Sequence, residues 1–116
     1  MPVYQNRTAE YAEHAQGGIG RILRDKLVPA DKLGGPCSYM ACISLEPGNS
    51  IGIHQHVGDN EMYYLINGSA LYTENDVEYH VEAGDVMFCD EGSTHGIVNT
   101  SDETISFIAI MQKITE

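Results

Sequence analysis

The chain has 116 residues, 42% of them hydrophobic, and a net charge of −11, which suits one domain with a working but shallow core. No apolar run approaches the roughly 18 residues of a membrane span, and the start, MPVYQNRTAEYAEH, carries no apolar signal core. A cytoplasmic protein with no membrane partner is expected. Arg7, Arg21, Arg24, Lys26, Lys32 and Lys113 are the basic residues, so the stretch from Leu33 to Gln112 contains no Lys or Arg but 12 Asp and Glu. Such a surface repels nucleic acid, whose binding depends on neutralising phosphates, and it keeps the protein soluble.

In chain order, residues 8–16 (TAEYAEHAQ) read as a short helical turn or two with Thr8 as N-cap. Ile19 to Leu23 and Leu27-Val28 suggest a strand and its exit, and Asp31 to Pro36 is a turn cluster. From Ser38 onward the chain reads as strands throughout. These are Ser38 to Leu45, Ser50 to Val57, Glu61 to Ile66, Ala70 to Thr73, Val77 to Val81, Val86 to Cys89, Thr94 to Val98 and Thr104 to Gln112. Turn residues separate them, and Asn67-Gly68 is a strong hairpin dipeptide. Short strands at such spacing predict an all-β sandwich or barrel. The division expected is an N-terminal arm, residues 1–36, and a barrel, residues 37–116.

Ile105, Phe107, Ala109 and Met111 alternate with Ile108 and Ile110, so the last strand is apolar on both faces. A small barrel buries only one set. The outer set is expected to meet a second subunit in a homodimer, or to lie under the N-terminal arm. Cys37, Cys42 and Cys89 are an odd set without C-x-x-C spacing, read as buried, inert thiols in a reducing compartment.

The chemistry concentrates in one stretch. His54-x-His56 on a strand points two imidazoles to one face. Ser50 and Gly52 are expected on that face, and Ile51, Ile53 and Gln55 on the other. Glu61 opens the next strand with Tyr63 on its face, and His95 is a candidate third histidine. Imidazole and carboxylate donors suit Mn, Fe, Ni, Co or Zn as divalent ions, and a set without thiolate is unlike structural zinc. Tyr63 is a candidate cavity or proton-donating residue. Asn99 is read as a turn or supporting residue, His80 and His14 as surface histidines, and Tyr39, Met40 and Met87 as cavity wall or core.

Residues 48–68 match the pattern G-x5-H-x-H-x4-E-x6-G through Gly48, His54, His56, Glu61 and Gly68, and residues 84–99 match G-x5-P-x-G-x2-H-x3-N through Gly84, Gly92, His95 and Asn99. Asp90 stands where the second pattern has a turn-shaping proline. The two blocks resemble the motifs of the cupin superfamily, in particular small single-domain members similar to oxalate decarboxylase. That resemblance implies a jelly-roll β-barrel with His54, His56, Glu61 and His95 converging on one divalent metal, manganese or iron being favoured. It implies an enzyme acting on a small carboxylic, keto, hydroxy or sugar acid chelated at the open metal positions. The alternatives are a metal-dependent sensing module without turnover and a dioxygenase. An anionic ligand would gain from a guanidinium, which only Arg21 or Arg24 could bring.

Overall fold

A computed structural model describes residues 3–114, and its strands follow the alternation of β-branched and aromatic residues along the chain. The elements are β1 (Glu10–Glu13), a single 3-10 turn (Ala15–Gly17), β2 (Arg21–Lys26), a one-turn helix α1 (Ala30–Leu33), β3 (Cys37–Leu45), β4 (Ser50–Gln55), β5 (Asp59–Leu65), β6 (Ser69–Glu74), β7 (Val77–Glu82), β8 (Val86–Cys89), β9 (Thr94–Val98) and β10 (Ile105–Lys113). They form two antiparallel sheets, ordered β1-β2-β3-β10-β5-β8 and β4-β9-β6-β7. The all-β jelly-roll class is as expected. The core lies between the sheets, where Ile22, Ala41, Ile43, Leu45, Leu65, Ile97, Ile105 and Phe107 are buried.

Four expectations about the elements need correction. Residues 8–16 do not form a helix: Glu10–Glu13 pairs with β2 in register Tyr11↔Leu23. Only the following 3-10 turn is helical, and it contains left-handed Gln16. The Ala- and Glu-rich composition favours helix weakly, and a sheet edge overrides it. The expected turn cluster contains most of α1, which ends at Gly34 with φ 60. Asn67-Gly68 is not a hairpin. It carries the chain from β5 in one sheet to β6 in the other, with the Asn67 side chain tied to the Thr104 carbonyl at 2.9 Å. The hairpin turn lies at Asn75 and Asp76, with φ 48 and 67, joining β6 to β7.

The fourth correction concerns β4, where strict alternation fails. Ile51 pairs with Ile97 but His54 pairs with His95, so β4 carries one extra residue between them. This bulge turns Ile51 into the core, where it is 6% exposed, while His54 still faces inward. Ser50 remains buried, its hydroxyl accepting from the Ile19 amide at 2.8 Å. The 3-10 turn fits against this bulge: a Cβ on Gly18 would stand 2.2 Å from the Ser50 carbonyl oxygen.

β1 and β2 extend the six-stranded sheet beyond β3. On the outer face, Ile108 and Ile110 sit in register between Cys42 and Met40 on one side and Tyr64 and Met62 on the other. Met40 is therefore an outer-face residue rather than cavity wall or core, since its buried neighbour Ala41 points in. Cys37 and Cys42 are half-buried, and only Cys89 of the three thiols is fully enclosed.

Candidate metal centre

β4, the start of β5 and β9 bring His54, His56, Glu61 and His95 together, with one ligand atom from each lying within 4.8 Å of the others. His56 Nε2 lies 2.9 Å from His95 Nε2. Glu61 Oε1 is 3.1 Å from the former and 3.2 Å from the latter. The three imidazole centroids stand 4.7 to 5.0 Å apart. His56, Glu61 and His95 are buried, and His54 lies at the rim.

The other ring nitrogens explain this geometry. His54 Nδ1 donates to the Gly52 carbonyl at 2.7 Å, and His56 Nδ1 donates to the Asp59 carboxylate at 2.7 Å. His95 Nδ1 meets the Tyr72 hydroxyl at 3.0 Å, and that hydroxyl donates to Glu74 at 2.7 Å. With every Nδ1–H engaged by an oxygen, every Nε2 presents a lone pair to the centre, as outer partners of metal-binding histidines do. Two imidazole nitrogens and a carboxylate oxygen then converge within 3.2 Å of one another, with His54 beside them, and a cation between them would satisfy all of these donors. Ligand atoms on bonds of about 2.1 Å at right angles stand roughly 3.0 Å apart, which matches the separations around Glu61. The donor set could hold a divalent metal ion.

Burial holds the His54 pKa below its ordinary value, with the Gly52 carbonyl opposing that shift. Burial also raises the Tyr72 hydroxyl well above its ordinary value, reinforced by its bond to Glu74. Tyr63 is 2% exposed. It stacks on the His95 ring at 4.9 Å and lies tilted against Phe107 at 4.6 Å, and burial together with the charge of Glu61 keeps its hydroxyl protonated.

A cavity of about 560 Å³ adjoins the cluster, walled by Ile22, Ile43, Ile51, Tyr39, Tyr63 and Met111. Arg24 lines it too. Arg21 does not, being paired with Glu46 at 2.8 Å and set over the Tyr11 ring. Asn99 lies away from the cluster and holds the Leu45 and Glu103 carbonyls at 2.8 and 2.7 Å. His80 is exposed on β7, and His14 bonds the Gly18 carbonyl in a tight turn. Asp59, Tyr72 and Glu74 are supporting residues that motif spacing did not single out. Asp59 stood three residues after His56, a spacing that could have flagged it.

Residues 42–111 match the family described as the cupin domain. The chain is a cupin. It is 32% identical over 104 residues to the oxalate-binding protein of Thermotoga maritima, covering 90% of this chain and 86% of that one. It is 34% identical over 86 residues to tetracenomycin polyketide synthase protein TcmJ of Streptomyces glaucescens, covering 74% of this cupin and 55% of that protein. A Thermotoga maritima crystal structure, described as a predicted oxalate decarboxylase, superposes with TM-score 0.91 at 30% identity, covering 94% of this cupin and 95% of that chain. KdgF from Halomonas, at 14% identity and TM-score 0.69 over 90% of this chain and 87% of its own, shares the fold.

Proposed function

We propose that this cupin binds one divalent transition metal, manganese or iron, through His54, His56, Glu61 and His95, and acts as an enzyme on a small oxygen-rich organic acid chelated there. The observation that carries the reading is the orientation of the three imidazoles, each engaged by an oxygen at Nδ1, with Nε2 of His56 and His95 set 3.1 and 3.2 Å from Glu61. Nitrogen and oxygen donors favour these metals over structural zinc. A bound ion would supply Lewis acidity to a chelated carboxylate or keto oxygen. The chain's own contribution is a cavity with apolar walls that limits water, and the Tyr63 hydroxyl. That hydroxyl is held protonated beside Glu61 and is suited to donate a hydrogen bond to an oxygen of a chelated acid. Similarity to a protein named oxalate-binding supports an acid as ligand.

That relative's name equally suits binding without turnover, and one experiment decides. Purified protein is assayed for metal by mass spectrometry, beside His54→Ala and His95→Ala, then incubated with keto, hydroxy and uronic acids with and without oxygen. The reading expects bound metal that both substitutions remove, and product from at least one acid. Metal content unchanged in both variants refutes the four-ligand site, and tight binding without product across the panel favours a sensor.

The same proposal includes a division between an arm, residues 1–36, which carries Arg24, and a barrel, residues 37–116. It also includes a cytoplasmic homodimer formed through the outer face of the six-stranded sheet. There Tyr64, Val86 and Phe88 are 42%, 58% and 49% exposed beside Ile108 and Ile110, a larger apolar run than a solvated sheet face carries.

A further inference from the structure

Among the described residues Arg24 has no ion-pair partner, unlike the two other arginines. Arg7 pairs with Asp25 at 3.0 Å and Arg21 with Glu46 at 2.8 Å, whereas no carboxylate lies within ion-pair distance of Arg24 among the described residues. Its Nε is the one buried side-chain nitrogen or oxygen without a hydrogen-bond partner among the described residues. A buried guanidinium nitrogen with nothing to donate to is destabilising, and the side chain lines the cavity that holds His54, His56 and Glu61. Arg24 is the sole Arg or Lys on that wall.

Strand order separates this cation from the metal cluster. Glu61 on β5 is in register with Met111 on β10, and Met111 with Tyr39 on β3. β2, which carries Arg24 opposite Ile43, lies beyond β3. Three strand spacings across the sheet, combined with the four-residue offset along β3 from Tyr39 to Ile43, come to about 19 Å at the backbone. Between the two ends the wall carries Ile22, Ile43 and Met111, and the Tyr39 ring centroid lies 6.0 Å from the Arg24 guanidinium carbon, whose charge opposes the upward push of burial on the Tyr39 hydroxyl. The cavity is also large for the smallest diacid. A molecule of six heavy atoms occupies about three waters' worth of space, on the order of 90 Å³, against a cavity of about 560 Å³.

We propose that the ligand is longer than oxalate: a 2-oxo or 2-hydroxy acid that chelates the metal through its head and presents a second carboxylate to Arg24 at the far end, with a short carbon chain along the apolar wall. This rests on the metal-chelating reading above and adds the ligand's length and its second charge. Arg24 is then a specificity-determining residue, because a carboxylate satisfies the orphaned Nε and a methyl group does not.

The test is calorimetric titration of manganese-loaded full-length protein with oxalate, 2-oxobutanoate and 2-oxoglutarate, repeated on Arg24→Gln and Arg24→Lys, with metal content and thermal unfolding measured for each. The expected result is that 2-oxoglutarate binds about 10-fold or more tighter than 2-oxobutanoate and tighter than oxalate. Arg24→Gln should bring the two 2-oxo acids to near equality, and Arg24→Lys should restore part of the gap. Metal-loaded protein that prefers oxalate overturns the inference and leaves the chelation reading standing. So does an Arg24→Gln variant that retains metal and keeps the wild-type preference. Metal-loaded wild-type protein that binds none of the three acids overturns both. Wild-type protein that takes up no manganese refutes the metal reading itself.

Discussion

Gly52 links the 3-10 turn to the candidate metal cluster, and Gly52→Ala tests that link. Its backbone is not in the left-handed region, so alanine brings no conformational strain there. The added Cβ would nevertheless stand 2.1 Å from the Gln16 carbonyl oxygen, where ordinary contact begins at 3.4 Å. The Gly18 amide nitrogen is also only 3.0 Å away. Both obstacles are backbone, so no side chain can rotate aside, and the 3-10 turn and the β4 bulge must part by more than 1 Å. Overpacking of this kind costs about 1–3 kcal/mol. The smaller entropy of the unfolded alanine chain offsets about 0.4–1 kcal/mol, which leaves a net loss on the order of 1–2 kcal/mol. The Gly52 carbonyl accepts from His54 Nδ1 at 2.7 Å, so the same movement turns a ligand ring. Metal affinity should fall about 10-fold, as when an outer partner of a ligand is lost. Urea unfolding of the metal-free protein reads the first quantity, and competition with a calibrated chelator reads the second. A Gly52→Ala protein with wild-type stability and metal affinity would refute the coupling of arm, bulge and ligand.

Asp59→Asn leaves the His56 ring facing a neutral amide, which can also flip its NH2 toward Nδ1. Chelator competition should show metal affinity reduced about 10- to 100-fold with little change in unfolding. Asn99→Ala removes the side-chain partner of the Leu45 carbonyl and of the Ser101 amide and leaves the Glu103 carbonyl only the Ser101 hydroxyl among side chains. It should cost about 2–4 kcal/mol in urea unfolding without lowering metal content at a temperature where the variant is folded. Burial pushes the Cys89 thiol up to about 12 from an ordinary 9.0. Because the folded form holds its proton where the unfolded form has lost it, this contribution is complete below about pH 9 and is lost as pH rises toward 12. Cys89→Ala should accordingly flatten the alkaline fall of stability. In the native wild type at pH 8, iodoacetamide should spare Cys89, and rapid labelling there would contradict the burial.

Strands and the candidate metal cluster were legible for different reasons. A strand announces itself locally, by alternation between turn residues, and every strand from β3 to β10 lies where the alternation puts it. What alternation cannot express is a change of count. The extra residue between Ile51 and His54 leaves the histidines facing inward yet returns Ile51 to the core, because a bulge is visible only against the partner strand. Asn67-Gly68 has hairpin chemistry, yet the segments it joins pair with β8, β9 and β10 rather than with each other. Long-range pairing decided that, and it also made a strand of the Ala- and Glu-rich Glu10–Glu13.

The four cluster residues stand at motif spacings because each donor must be a His or Glu at a set place in the fold. Their supports obey no such rule. The Nδ1 of His54 needs only an oxygen acceptor and finds a backbone carbonyl, which any residue supplies. That of His56 finds a carboxylate in the turn, and that of His95 finds a phenol on β6, a strand adjacent in space but not in sequence. Three chemically unlike groups perform one task, so the task leaves no pattern along the chain. Arg24 stood out for the opposite reason. A barrel without any Lys or Arg between Leu33 and Gln112 left the arm as the one source of a guanidinium near the site, and composition could narrow the choice to Arg21 or Arg24. Strand direction decides between them: Arg24 lines the cavity, while Arg21, at the start of β2, pairs at the surface with Glu46.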